Sequence, residues 1–157
     1  MMAAGKINWK VLIGCLVVVY AVAFLGSIFT PGNTDSDWYD AIQPEVTPAN
    51  WVFPVVWNVL FFLIAMSLYF CWNNSRKKGK IMWVFGINFV LNIFWSFTFF
   101  GEQNVSGAFV VLIALWLSII SMIYVAGKVD KKAGWLLVPY LAWVTFAGYL
   151  NYLIVFG

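Results

Sequence analysis

The stretch VSGAFVVLIALWLSIISMIYV, residues 105–125, decides the fold. It carries no charged side chain from end to end, and it matches the roughly 20 residues that a helix needs to cross the hydrocarbon core of a bilayer. Four more stretches of this kind surround it, at 9–29, 51–72, 81–100 and 135–156. Backbone groups in hydrocarbon must be satisfied within their own segment, so each stretch is expected to be a helix. A barrel would show shorter alternating segments, and these do not alternate. The expected fold class is therefore all-α: a single polytopic membrane domain over 1–157, built as a bundle of five transmembrane helices.

Composition agrees. Apolar residues make up 64% of the chain and charged residues 10%, against about 45–50% and about 25% in soluble domains. That is too little charge to coat a water-facing surface. Aromatic residues reach 20%, with 10 Trp. Interfacial belts account for part of them; Leu, Ile and Val would serve lipid contact as well, so the remainder need another role.

The charges set an orientation. Lys6 and Lys10 stand at the start of the first stretch. Arg76, Lys77, Lys78 and Lys80 lie between the second and third, and Lys128, Lys131 and Lys132 between the fourth and fifth. The loop after the first stretch carries Asp35, Asp37, Asp40 and Glu45, and the loop after the third carries Glu102. Five crossings put every basic place on one side. The positive-inside rule then predicts a cytoplasmic N-terminus and an external C-terminus. An even number of crossings would break that agreement. The apolar run of the first stretch is longer than a cleaved signal core, which argues for a retained helix.

The segment 30–50 is the one long connection, with Pro31, Pro44 and Pro48 and the pair Trp38-Tyr39. It reads either as a tether with an interfacial anchor or as a lid over the external mouth of the bundle. Thr47-Pro48 has the pattern of an N-cap followed by Pro at the first helical position, which predicts that the second helix starts there. Pro54 and Pro139 are expected to bend their helices.

Several chemistries are disfavoured. Histidine is absent, which removes the commonest metal ligand and the usual proton shuttle; no metal site is expected. No acid or base lies in the interior of a stretch, unlike most proton-coupled carriers. Cys15 and Cys71 each sit in an apolar run and read as buried small hydrophobes. The basic loops are short and explained by topology, so no nucleic-acid partner is expected.

What remains is neutral polarity among rings. Asn88, Asn92, Trp95 and Phe99 recur at helical spacing on one face. In the second helix, Trp51, Val55 and Asn58 share a face, with Phe53 and Trp57 on the adjacent ridge. In the fifth, Tyr140, Trp143, Ala147 and Asn151 align, with Gly148 beside them. Asn and small residues also serve as helix–helix glue. The whole constellation favours an apolar pocket with a few polar fixings, suited to a flat, large, hydrophobic guest.

Three blocks now carry a resemblance: WYDAIQPEVTPANWVFPVVWNVLF (38–61), LNIFWSFTFF (91–100) and LVPYLAWVTFAGYLNYLI (137–154). They resemble the TspO/MBR family, the tryptophan-rich sensory proteins related to the mitochondrial translocator protein or peripheral benzodiazepine receptor. The matching positions are Trp38, Tyr39, Pro44, Pro48, Trp51, Phe53 and Trp57; Asn92, Trp95, Phe99 and Phe100; and Pro139, Tyr140, Trp143, Ala147, Leu150 and Asn151. The chain departs from the family where Ala49 follows Pro48 in place of a proline pair, and where Ser96-Phe97 follows Trp95. Its last helix has Leu150 and Tyr152 but ends at Gly157 without the basic residue of the animal cholesterol-recognition pattern, which suits a bacterial member.

The resemblance implies a homodimer in a bacterial cell membrane, without a resident cofactor. It implies binding of porphyrins such as protoporphyrin IX, and of benzodiazepine and isoquinoline carboxamide ligands. The implied ligand residues are Trp51 and Trp143 as stacking faces, with Phe53, Asn92, Trp95, Tyr140 and Ala147 on the walls and Trp38 or Tyr39 closing the lid. Some relatives are reported to break down protoporphyrin in light and oxygen; in that alternative Trp51 and Trp143 are the catalytic residues. Gly107, Gly127 and the run from Ala108 to Ala114 are compatible with close helix contact in a dimer.

Overall fold

The computed structural model describes residues 5–30 and 34–157; Pro31 lies outside them. Five helical spans are long and apolar enough to cross a membrane: Trp9–Ser27, Val52–Asn74, Lys78–Gly101, Val105–Val129 and Lys131–Phe156. In chain order the α-helices are α1 (Trp9–Ser27), α2 (Asp37–Ile42), α3 (Val52–Asn74), α4 (Lys78–Ser96), α5 (Val105–Val129), α6 (Lys131–Leu136) and α7 (Val138–Phe156). No strand occurs among the described residues.

The segment 105–125 becomes the hub. Helix α5 packs against α4, α6 and α7, while α1 packs on α3 and α4. Leu112, Leu115, Ile119, Met122 and Ala126 are all buried on α5. Their three-and-four spacing makes one continuous stripe facing the bundle. Side-chain caps start α1, α5 and α6: Asn8 accepts from the Val11 amide at 3.3 Å, Asn104 from Gly107 at 2.9 Å and Asp130 from Lys132 at 2.8 Å. Asn74 donates to Asp130 at 2.9 Å, tying the end of α3 to the start of α6.

Three expectations need correction. The connection 30–50 contains a helix of its own, α2, capped by Ser36, whose hydroxyl accepts from the Tyr39 amide at 3.2 Å. The second span starts at Val52, not at Thr47; the Thr47 hydroxyl caps nothing, and the Asn50 side chain donates to the Thr34 carbonyl and to Asp35 instead. Pro54 therefore lies in the first turn of α3, where its missing N–H is harmless. Pro139 does more than bend its span: it splits it, because Leu137 ends α6 with its amide bonded back to Gly134 and α7 starts at Val138. The residues nominated for dimer contact divide: Val110, Ile113 and Ala114 stay exposed, while others are used inside the chain. Ala108 is fully buried. Gly127 meets Gly134 so closely that a Cβ at Gly134 would stand 2.9 Å from the Gly127 Cα.

The third span ends in a π-helical turn, Phe97–Gly101. The Glu102 amide reaches back to the Phe97 carbonyl at 2.9 Å. The wider turn follows α4 and presents consecutive rings, Phe99 and Phe100, to the same end of the bundle. Such turns recur at functional sites.

Candidate functional site

A cavity of about 550 Å³ opens where α1 ends, α3 begins and α4 gives way to the π-turn, with α7 as its far wall. That volume is within the range of small-molecule pockets. Aromatic rings build it. Trp57 stacks on Phe61 at 5.4 Å between centroids, Phe53 meets Trp143 edge-on at 5.8 Å, and Trp95 stacks on Phe99 at 5.2 Å. Each of these rings also lines the cavity. From α1 come the small residues Ala23, Gly26 and Ser27, with Thr30 just past its end, which leave the space the rings enclose.

The connection 30–50 covers one side. Tyr39 lines the cavity and is buried; it lies 6.0 Å from Phe100 between ring centroids. Trp38 packs edge-on against Phe99 at 5.9 Å and is not part of the lining. Burial, and then the neighbouring Asp40 carboxylate, push the Tyr39 phenol above its ordinary pKa, so it stays neutral at physiological pH. The Asn50 bonds to Thr34 and Asp35, at 3.2 and 2.9 Å, fasten this cover to the start of α3.

Behind the aromatic wall runs a chain of hydrogen bonds across three helices. Asn92 donates to the Tyr140 hydroxyl at 3.1 Å, Tyr140 donates to Asn88 at 3.2 Å, Asn88 donates to Ser118 at 2.9 Å, and Ser118 donates to the Leu115 carbonyl at 2.6 Å. Every donor in the chain points the same way, so the groups polarise one another and fix the Asn92 amide.

Three buried polar atoms have no hydrogen-bond partner among the described residues: Thr47 Oγ1, Trp95 Nε1 and Asn151 Oδ1. All three residues line this cavity. An unpaired buried donor or acceptor costs about 1–3 kcal/mol, and native folds leave few of them. Their concentration at one hollow sets it apart from the rest of the described interior.

A family profile described as the TspO/MBR family matches residues 15–156. The chain belongs to that family. It is 37% identical to the tryptophan-rich protein TspO of Chlorobaculum tepidum over 146 residues, covering 90% of this chain and 91% of that one. It is 38% identical to the protein of the same name from Archaeoglobus fulgidus over 150 residues, covering 91% and 94%. The translocator protein of Bos taurus is 28% identical over 149 residues, covering 92% and 88%. The five apolar spans and this membership make the chain an integral, multi-pass membrane protein, and its bacterial relatives support a bacterial cell membrane.

Of the residues singled out in the sequence, Trp51, Phe53, Asn92, Trp95, Trp143 and Ala147 line the one cavity, with Tyr39 on its cover. Trp51 sits at the mouth and is 69% exposed. Tyr140 is a correction: it is 0% exposed and stands behind the wall, supporting Asn92. The face of Trp51, Val55 and Asn58 divides: Trp51 lines the cavity and the other two do not. Val55 is exposed, and Asn58 accepts from Tyr20 at 2.8 Å on the outside of the bundle. The adjacent ridge of Phe53, Trp57 and Phe61 faces the hollow instead. Gly148 offers no gap, since a Cβ there would meet Leu112 at 2.9 Å. The α1 contribution was missed; the small residues at 23, 26, 27 and 30, spaced as one helical face, are the signal that would have found it.

Proposed function

We propose that the protein binds flat, hydrophobic ring systems of the tetrapyrrole class, protoporphyrin IX among them, in this cavity, for sensing, transport or turnover. Synthetic isoquinoline carboxamides and benzodiazepines share the same binding chemistry. The observation that carries the reading is the coincidence of Trp51, Trp57, Trp95 and Trp143 with the three unpartnered polar atoms around one hollow. Indole faces stack on flat guests, and the orphaned atoms orient them. In this reading the N-terminus is cytoplasmic, the cavity opens externally and the protein works as a homodimer; the segregation of basic residues supports the first two points.

Tryptophan fluorescence titrated with protoporphyrin IX in nonionic detergent tests it. Saturable quenching that Ala147→Phe abolishes is the expected result. A flat titration of folded protein would leave a packed scaffold without a guest.

A second reading is light-dependent degradation of protoporphyrin, with dioxygen as the oxidant and an indole of Trp51 or Trp143 relaying an electron to the excited macrocycle. It is favoured by one fact, that both indoles border the same hollow. Bleaching of protoporphyrin by pure protein, in light and in dark, separates the two. A Trp143→Phe variant that bleaches as fast as wild type, to the same product, removes that residue from any catalysis.

A further inference from the structure

We infer that the cavity discriminates among flat ligands by charge, favouring neutral or cationic ring systems that carry an N–H donor over dianionic dicarboxylates. The inference rests on the binding function proposed above and narrows the class of ring it accepts.

The lining itself points this way. Asp35 is the one charged side chain on it, and no Lys or Arg is among the described residues that line it. Deep in the wall, Asn151 is 1% exposed; its amide nitrogen donates to the Val105 carbonyl at 2.9 Å, and its Oδ1 has no donor. Asn92 is held similarly. Its nitrogen is committed to Tyr140, and a side chain at Gly26 would start 3.9 Å from its Oδ1. The fixed Asn151 carbonyl oxygen is therefore left for a donor. The buried unpartnered donors on the lining, the Trp95 indole N–H and the Thr47 hydroxyl, are both neutral. A carboxylate pushed into this wall would meet neutral donors, acceptors and rings with no cation to pair, and burying an unpaired charge is costly.

The approach to the cavity repeats the preference. Asp35, Asp37, Asp40 and Glu45 lie on the connection that covers it, and Glu102 follows the π-turn beside it. Every Lys and Arg belongs to the other end of the bundle, about 25 Å away along α1 at 1.5 Å per residue. That exceeds the Debye length at physiological salt, so those cations do not offset the acids. Membrane topology explains where the Lys and Arg residues go, but Asp and Glu contribute little to it. The acidic mouth is thus a separate feature, and like charge at a mouth lowers the local concentration of anions.

The test compares protoporphyrin IX with its dimethyl ester, by tryptophan quenching in nonionic micelles. The filled Ala147→Phe variant supplies the background from micelle partitioning. The ester should bind about tenfold tighter at low salt, and the ratio should fall to about threefold in high salt as the mouth is screened. Asp35→Asn keeps the oxygen that Asn50 bonds to, and it should narrow the low-salt ratio about threefold; Glu102→Gln, off the lining, should narrow it less. Equal or tighter binding of the diacid at every salt concentration, or a ratio that neither variant moves, overturns the inference and leaves the binding function standing. Failure of both porphyrins to bind folded protein overturns the binding function as well.

Discussion

Two hollows of nearly equal size lie at opposite ends of the bundle, about 550 Å³ and about 560 Å³. The first is the aromatic cavity beneath α2. The second is a groove between α1, α3 and α4, bordered by Lys10, Gly14, Cys15, Leu68, Trp72, Phe85, Gly86 and Phe89. Size does not separate them; chemistry does. The three unpartnered buried polar atoms all belong to the first, and so do three paired sets of rings. The groove is apolar apart from Lys10, and neither Gly14 nor Gly86 has an atom within 4 Å of where its Cβ would be. A hollow that is merely apolar is what lipid chains fill on any membrane protein. Apolar walls with oriented, unsatisfied polar atoms make a site.

The strongest way to break this comparison is to fill each hollow in turn. Ala147→Phe places a ring in the aromatic cavity and should weaken porphyrin binding at least about 100-fold, equivalent to about 2.7 kcal/mol. Gly86→Leu puts comparable bulk into the open groove and should leave porphyrin affinity within about twofold. Quenching titrations of the two variants side by side check both. If Gly86→Leu proved the damaging one, the functional roles of the two ends would be reversed.

The hydrogen-bonded chain behind the cavity comes next. Tyr140→Phe removes the hydroxyl between Asn92 and Asn88 and strands an amide on each side. The expected loss is about 1–2 kcal/mol of stability, read as a lower thermal midpoint in detergent, together with weaker binding as the Asn92 amide loses its orientation. Ser121→Ala, which removes an exposed hydroxyl bonded to the Leu117 carbonyl at 3.2 Å, should change neither.

Much of the fold was legible because its causes are local. Residues 105–125 are apolar end to end, and the basic residues fall between alternate spans, so number and order of helices follow without tertiary information. What escaped depends on contacts across the bundle. Helix α2 has six residues, too few to hold together alone; Trp38 and Tyr39 hold it by packing on Phe99 and Phe100. The π-turn inserts one residue into a helix without any propensity signal. The site was legible in part for a similar reason. On α4 and α7, polar Asn92 and Asn151 mark the inner face against an apolar background. On α3 the one interior amide, Asn58, points outward to Tyr20 and misleads. Helix α3 is apolar all round, so periodicity alone could not choose between its two ridges.

A smaller effect contrasts stacking at the two ends. Trp143 borders the aromatic cavity, while Trp72 borders the groove beneath Lys78, whose ammonium sits 5.2 Å from its ring centroid. Trp143→Leu keeps an apolar side chain and removes the indole face, so porphyrin affinity should fall about tenfold, near 1.4 kcal/mol. Trp72→Leu should leave it unchanged. Equal losses would mean that the indoles act through overall packing and not through contact with the guest.

The smallest effect concerns the cover. Burial first, and Asp40 second, raise the Tyr39 pKa above its ordinary value of 10. A group whose folded pKa is raised contributes stability that is fully present below its unfolded pKa and is lost as pH rises through the folded value. The seat of α2 on Phe99 and Phe100 should therefore be indifferent to pH between about 6 and 9 and should loosen only in stronger alkali, as the phenol is forced to ionise in its apolar seat. Limited proteolysis across 30–50 at increasing pH reads this directly. Tyr39→Phe should keep the seat and abolish the alkaline sensitivity, because the ring contacts survive and nothing remains to ionise. The groove end has no comparable cover among the described residues, so cleavage near Arg76–Lys80 should show no matching transition. If Tyr39→Phe loosened at the same pH as wild type, ionisation of this phenol would not be what releases the cover.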